Sequence, residues 1–512
     1  MIKNIYPDVK DMKKKLLFWI SDDLLHYCLS HSLQKKYDAD YFAITETHSG
    51  AKNFLDEQSF VKFNKIWHMF DHISLEKRKP DIKFLKNFEE KYNIRIWDMA
   101  YSERLFYHEY NHRYRYSSNE ILSIIEQQCK LFLLVMDEIK PDYLLCNVVT
   151  RLPMYLIYNL AKAMNINILV LEPWHSLMTQ CLLSKQIDSV DEPQKYLQIE
   201  NYENKTLSEL KQFLESYPHS NGTEFQVNLN NSKINKIKKL IEFIEKPINE
   251  DYKKLYPHLG TTKLKTLVSK QKASNSEIKK REKFMDENFL KDLSDEKFIY
   301  FPLGLEPERQ LLIRAPLQNN QLQTISNIAR SIPVEYKLFV KEHPEMKNTA
   351  GWRDVNYYQR ILDYPNVELI HMSIKPKEIL EKCSLVTTLV GSSAFEASFY
   401  NKPSVVLGDS DYSVLPWIFH PKTITDLPHV IKDALNSQVD TIHLNKYINY
   451  VLLNTVKFDK FRYWDDFSNY FPYEGFLRDV SISIDRMKQF LDDHFTEFNF
   501  LADEHIKKFN NI

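Results

Sequence analysis

A chain of 512 residues is about three domain lengths. Its 68 basic residues against 69 acidic ones leave a formal charge of −1, which argues against a nucleic-acid binder, whose domains carry a net basic face. With 43% hydrophobic and 13% aromatic residues there is ample material for cores, and disorder is excluded as the dominant state.

In chain order, residues 16–20 (LLFWI) read as a strand ending at Ser21-Asp22-Asp23, a helix N-cap signal, and a helical pattern runs to about Lys36. A second strand follows at 41–45. The long helix 118–140 opens on the capping box Ser117-Ser118-Asn119-Glu120 and stops at Pro141. Residues 143–148 form a strand, 153–164 a helix, and 166–171 (INILVL) a strand ending at Glu172-Pro173. This alternation predicts a parallel, doubly wound sheet over residues 1–182.

Residues 183–296 break the pattern and read as a helical insertion, with charged helices near 235–247 and 275–292 and no strand. Its lysine-rich part, 263–283, suits either anionic lipid headgroups or a solvated helix face. Alternation resumes over 297–425, with strands at 298–302, 336–340, 367–370, 385–389 and 404–407 and helices at 321–331, 375–382 and 391–400. Residues 426–512 read as a helical extension. The fold class is therefore α/β, with two doubly wound Rossmann-like domains facing a cleft, a helical insertion and C-terminal helices.

Glycine is scarce, with 8 residues where average usage predicts roughly 36. Gly304, Gly351, Gly391 and Gly408 all fall in the second alternating segment, and Gly304, between two leucines, suggests a tight backbone approach. Five scattered cysteines without a Cys-x-x-Cys pair read as buried free thiols. The start MIKNIYPDVKDMKKK lacks a signal-peptide core, so the expected location is the cytoplasm, with peripheral contact at the inner membrane face left open.

Paired doubly wound domains bind ligands where their strands end, so chemistry should gather there. After the strand 385–389, Gly391-Ser392-Ser393 opens a helix whose amides suit a phosphate, with Glu396 placed for ribose hydroxyls. Ser393 and Glu396 equally spell an ordinary capping box. Glu342-His343-Pro344 ends another strand, and His343 is either a phosphate donor or a structural imidazole. The turn 302–309 carries Glu306 and Arg309. In the first domain Asp22, Asp23, His26 and Glu172 are placed as candidate general bases, Asp23 and Glu172 ahead of Asp22, which has a competing role as a cap. Residues 97–116 interleave tyrosines and Phe106 with Arg104, Arg113 and Arg115, a composition that suits sugar or lipid-phosphate contact or simple packing. No phosphate-loop motif, metal-binding doublet or histidine cluster is present, so neither metal nor cofactor is implied. Asp409-x-Asp411 is the nearest acidic spacing.

The runs Tyr300-Phe301-Pro302-Leu303-Gly304-Leu305-Glu306-Pro307-Glu308, Tyr336 to Pro344, Val390-Gly391-Ser392-Ser393-Ala394-Phe395-Glu396-Ala397 and Lys402-Pro403 resemble the capsule polysaccharide and surface-carbohydrate biosynthesis proteins. These are GT-B glycosyltransferase-like proteins related to bacterial Kdo transferases. A similar His-Pro and Ser-Ser pairing marks bacterial sialyltransferases, where it holds the phosphate of a CMP-sugar. The resemblance is clearest over 298–410 and weaker in 80–175, through Glu89, Lys91-Tyr92-Asn93, Lys140-Pro141-Asp142 and Leu171-Glu172-Pro173. It implies that His343, Ser392 and Ser393 contact donor phosphate, with Glu396 on the ribose.

The expected activity is transfer of a sugar from a CMP- or other nucleotide-activated donor to a surface polysaccharide or glycolipid. A teichoic-acid-type glycerophosphotransferase and a non-catalytic nucleotide-sugar-binding partner are the alternatives. A sugar-nucleotide 2-epimerase would need a denser set of acids and histidines than these motifs supply.

Overall fold

The computed structural model describes residues 13–76, 78–111, 113–174, 179–216, 255–262, 275–347, 353–472 and 480–510. Strand β1 (Lys14–Ser21) is apolar from Leu16 to Ile20 because both of its faces are covered. Leu17 and Trp19 enter one core with the helix Ser118–Ile139, while Leu16, Phe18 and Ile20 enter another with the helix Leu25–Gln34. Around it stand β2 (Ala39–Glu46), β3 (Lys65–His68), β4 (Tyr143–Asn147) and β5 (Asn167–Pro173), parallel and in the order β5-β4-β1-β2-β3. The expected capping box is formed: Ser117 N–H donates to Glu120 Oε2 at 2.8 Å, and Glu120 N–H returns to Ser117 Oγ at 3.3 Å. Lys140 ends that helix in the left-handed region, immediately before Pro141.

The second sheet is wholly parallel. Its strands are β7 (Phe298–Pro302), β8 (Lys337–Lys341), β9 (Val367–Ile370), β10 (Leu385–Thr388), β11 (Ser404–Val406) and β12 (Ile418–Phe419), in the order β12-β11-β10-β7-β8-β9. Side-chain alternation again divides it: Ile299 and Phe301 enter one core, Phe298 and Tyr300 the other. The molecule thus contains the two doubly wound domains expected.

Three features differ from the sequence reading. Strand β6 (Cys181–Ser184) straddles the expected boundary at 182 and pairs antiparallel with β5; at four residues it is too short to show a period. The expected insertion is not a separate body, since its helix Leu207–Glu215 packs Leu210 and Leu214 against Phe395 and Trp417, and the helix Asn275–Asn288 sets Met285 beside Ile299. The helical calls at 235–247, most of the lysine-rich stretch and Gly351 lie outside the described residues.

The C-terminal extension also divides. Helix Leu427–Leu435 buries Leu427, Ile431 and Ala434 in the second domain. After the helix Thr441–Asn454 the chain crosses back: β13 (Thr455–Val456) pairs antiparallel with β6. The helices Lys460–Tyr470, Ile484–Asp493 and Phe495–Asn510 then lay Phe467, Phe490 and Phe498 in the core that holds Phe18. All five cysteines are buried free thiols, and among the described residues no helix is long and apolar enough to cross a membrane.

Phe490 is fully buried and touches Tyr463, Phe467 and Phe498, so Phe490→Ala should cost about 3–5 kcal/mol. Hydrogen exchange should register that loss in β1 and the helix Leu25–Gln34, in the first sheet's core rather than the second's.

Candidate functional site

The carboxyl ends of the two sheets meet through charge. Glu172, at the end of β5, is fully buried and its Oε2 accepts from Arg309 Nη1 at 3.0 Å. Its Oε1 accepts from the Asp188 N–H. Arg309 also pairs with the Asp188 carboxylate, and Arg314 Nη1 lies 3.1 Å from the same group. Two carboxylates from the first sheet's loops are thus matched by two guanidiniums from the loop after β7. Burial pushes the Glu172 carboxyl up, and Arg309 and Arg314 pull it back. The expectation of Glu172 as an available base is not met: its oxygens are spent on the tie between the domains.

Neither Asp22 nor Asp23 takes the role expected of it. Asp23 accepts from Leu25 N–H at 3.3 Å, in the turn before a helix whose N-cap position is Leu24. Its other oxygen takes Asn147 Nδ2 at 2.8 Å and Trp464 Nε1 at 3.1 Å, while the buried Lys460 amine donates to Asn147. Asp23 therefore fastens the C-terminal helices to the strand ends. Burial lowers Lys460 to about 8, against the pull of Asp23. Asp22 does not cap that helix. Its Oδ1 accepts from His48 N–H at 2.9 Å and its Oδ2 lies 2.6 Å from His48 Nδ1. His26 does not face the cleft; it is 1% exposed and held neutral by burial, opposite His505 and Lys460.

His48 follows β2 and begins the helix Ser49–Glu57. Its Nε2 stands 3.1 Å from Nε2 of His258, which burial lowers to about 3, so His258 is neutral. With Nδ1 turned to the Asp22 carboxylate, the His48 ring presents Nε2 on its far side, toward His258. That is the orientation of a general base.

Beside it, Glu46 closes β2 with its Oε1 2.7 Å from Arg151 Nη2, and Glu103 bears on the same guanidinium. Two buried carboxylates around one guanidinium leave one negative charge over, and burial settles the excess by retaining a proton. Glu46 is pushed up to about 7. Arg151 also borders a cavity of about 90 Å³ between the domains, lined by Ser102 and Arg104 from the first and by Glu308 and Arg309 from the second.

On the second domain, Gly391 N–H donates to Thr388 Oγ1 at 3.2 Å, and a Cβ there would meet that oxygen at 2.9 Å, so any side chain at 391 would displace the Thr388 hydroxyl. Ser392 Oγ donates to Glu396 Oε1 at 2.6 Å, whereas the Ser393 hydroxyl is buried without a hydrogen-bond partner. The expected capping box of Ser393 with Glu396 is not made. Burial raises the Glu396 carboxyl. Glu342 and Glu306 are not turned to a ligand: both bind Arg353, at 2.5 and 3.3 Å, and Tyr358 OH donates to Glu342 at 2.6 Å. Gly304 has ordinary room for a Cβ; its N–H donates to Gln321 Oε1 at 2.7 Å and its carbonyl accepts from Arg353 at 2.5 Å. Tight approach belongs instead to Gly408, whose Cβ would come within 2.5 Å of Val390. His343 lies on the same strand-end loop, its N–H bonded to Glu342 at 2.6 Å. Asp411 is buried, accepting from Tyr447 OH at 2.8 Å.

Sequence reasoning missed His48, His258, Glu46, Glu103 and Arg151. Thr47-His48-Ser49, directly after a strand and opening a helix, was the available signal for the first; His258 comes from a distant segment with none.

Two doubly wound domains joined at their strand ends define a GT-B-like protein. Over residues 201–416 the chain matches the family model described as capsule polysaccharide biosynthesis protein, as the strand-end motifs imply. Among solved structures it is similar to the β-Kdo 2,7 transferase of Thermosulfurimonas dismutans KpsC, at 16% identity over 39% of this chain and 61% of that one, with a TM-score of 0.23. It therefore spans less than two thirds of that protein's length. The β-Kdo 2,4 transferase of the same KpsC aligns at 12% identity over 59% and 78%, TM-score 0.29. The UDP-GlcNAc 2-epimerase of Neisseria meningitidis aligns at 12% over 86% and 99%, TM-score 0.26. No curated protein matches the chain.

Removing one member of a buried ion-pair cluster leaves an uncompensated charge. Glu172→Gln should therefore destabilise the protein by about 3–5 kcal/mol, read by urea denaturation. Glu46 makes a second, pH-resolved prediction. Its carboxyl is raised from 4.5 to about 7, so the native state holds a proton that the unfolded chain releases. That contribution is complete below pH 4.5 and is lost as pH rises through about 7. Glu46→Gln should remove this fall from a stability–pH profile.

Proposed function

We propose that the protein is a glycosyltransferase of capsule or surface-polysaccharide assembly, moving a sugar from a nucleotide-activated donor to a glycan or lipid-linked glycan. The observation that carries the reading is the Asp22–His48 pair at the first domain's strand ends, whose carboxylate acts on Arg151, a residue lining a cavity whose other wall is the loop after β7. The family match over the second domain supports the same chemistry. In this reading the reaction takes place in the cytoplasm, at the inner face of the membrane when the acceptor is lipid-linked.

The second domain holds the nucleotide. His343, the Ser392 amide and the Ser393 hydroxyl neutralise charge on the leaving phosphate, and Glu396 accepts from ribose hydroxyls. In an inverting transfer, an acceptor hydroxyl replaces His258 as the partner of His48 Nε2. His48 takes its proton, the oxygen bonds to the anomeric carbon, and the bond from that carbon to the phosphate oxygen breaks with its electron pair leaving on the nucleotide. Asp22 stabilises the imidazolium formed.

A second reading has a specific observation in its favour. Asp22, His48, His258, Glu46 and Glu103 are the dense acid and histidine set that proton abstraction in a sugar-nucleotide 2-epimerase would use. Incubation of UDP- and CMP-sugars in deuterium oxide separates the two: an epimerase places deuterium on the sugar carbon, and a transferase does not.

For the favoured reading, His48→Ala should lower transfer by about 10²–10⁴-fold while calorimetric binding of the nucleotide sugar is retained. Glu396→Gln should instead weaken donor binding about ten- to a hundredfold with the melting temperature unchanged. Wild-type donor affinity in both Glu396→Gln and His343→Ala would reduce the second-domain loops to ordinary architecture.

A further inference from the structure

The rim of the first domain carries side chains that the transfer chemistry does not use. Helix Ile96–Tyr101 leaves Trp97 47% and Tyr101 58% exposed, one turn apart on the same face. Beyond it the rings of Tyr101 and Tyr107 lie 5.6 Å apart, and those of Tyr107 and Tyr110 5.4 Å apart. Tyr110 is close enough to Glu306 and Arg353 of the second domain for their charges to act on its phenol. The tyrosines therefore form a run from the outer surface to the cleft.

The run is held rigid. Tyr107 OH donates to Tyr101 O at 3.0 Å, Ser102 Oγ to Met99 O at 2.7 Å, and Asn111 Nδ2 to Leu105 O at 2.9 Å. Glu103, 1% exposed, accepts from Leu105 N–H at 3.2 Å and pins the turn. At the foot of the run, Ser102 and Arg104 line the interdomain cavity. The other two arginines of that cavity are committed, Arg151 to Glu46 and Arg309 to Glu172. Arg104 is exposed and makes no ion pair among the described residues.

Tyr101 is exposed and Tyr107 half-buried, the two rings meeting edge to face, so the pair offers an aromatic platform for the apolar C–H face of a pyranose ring, and an uncommitted guanidinium is the natural partner of a carboxylate. We propose that Tyr101, Tyr107 and Arg104 form an acceptor subsite for a carboxylated glycan chain: the rings stack on its sugars and Arg104 pairs with an acidic substituent near the cavity. The inference rests on the transferase reading and adds the chemistry of the acceptor and the path it takes to the cleft.

The test is calorimetric titration of the full chain with tetra- to hexasaccharides of oligogalacturonate and oligosialate, against neutral maltohexaose. At least one carboxylated probe should bind more tightly than maltohexaose and lose affinity with added salt. Arg104→Ala should weaken that binding about ten- to a hundredfold, and Tyr101→Ala about tenfold. Both side chains are exposed, so thermal melting should be unchanged and serves as the folding control. Carboxylated probes that bind no better than maltohexaose, or binding indifferent to both substitutions, overturn the subsite. A parallel titration of the unaltered protein with UDP-, GDP- and CMP-sugars separates the two claims. Nucleotide binding without glycan binding removes the subsite alone, and the reverse removes the transferase reading alone.

Discussion

The arrangement of the molecule depends on four charges gathered where its two sheets meet, three of them buried and Arg314 half-buried beside them. Glu172 and Asp188 descend from the first sheet, Arg309 and Arg314 from the loop after β7, and each ion has a partner of opposite sign. Desolvated charges tolerate little displacement, because separation exposes each to a medium that cannot solvate it. The tie therefore fixes where the loop after β7 lies, and with it the wall that Glu308 and Arg309 give to the cavity. Gly304 and Glu306 on the same loop are held from behind by Gln321 and Arg353, so it is clamped on both sides.

Around this junction the polar groups separate into those that build and those that remain poised. Asp23, Glu172, Glu306 and Glu342 have their oxygens filled by protein donors. Asp22 spends its oxygens on orienting His48, and the second nitrogen of that ring stands 3.1 Å from the neutral His258. Burial pushes the Glu46 carboxyl up to about 7, and the nearby Glu103 adds to the rise while Arg151 opposes it. Neighbouring sequence positions diverge in their partners: Asp23 is filled by Asn147 and Trp464, Asp22 by the backbone and ring of His48.

That distinction marks the limit of what the chain shows before folding. Both sheets were legible because β1, β4, β5, β7 and β10 are apolar runs bounded by turn residues, and the box at Ser117 announced its helix. The short β6 and β13 were not, since pairing with a distant segment, not local pattern, makes them strands. Candidate residues could be placed at strand ends, and the structure does put His343, Gly391, Ser392 and Ser393 there. Which acid keeps a free edge depends on donors from elsewhere: Trp464 and Asn147 claim Asp23, Arg309 claims Glu172, and His258 arrives from a segment more than two hundred residues past His48.

The return of the chain through β13 has a consequence for how the protein is made. Phe18 lies in a core completed by Phe490 and Phe498, and Cys181 of β6 awaits Val456. While a ribosome is still translating the second domain, the first sheet has an uncovered apolar face and an open edge at β6. The second domain, whose packing is completed by the helices Leu427–Leu435 and Thr441–Asn454, has its full complement before the chain crosses back. The domain begun first is thus the last to be finished, and a nascent chain stalled before residue 455 presents a sticky, half-clad sheet for chaperones to shield.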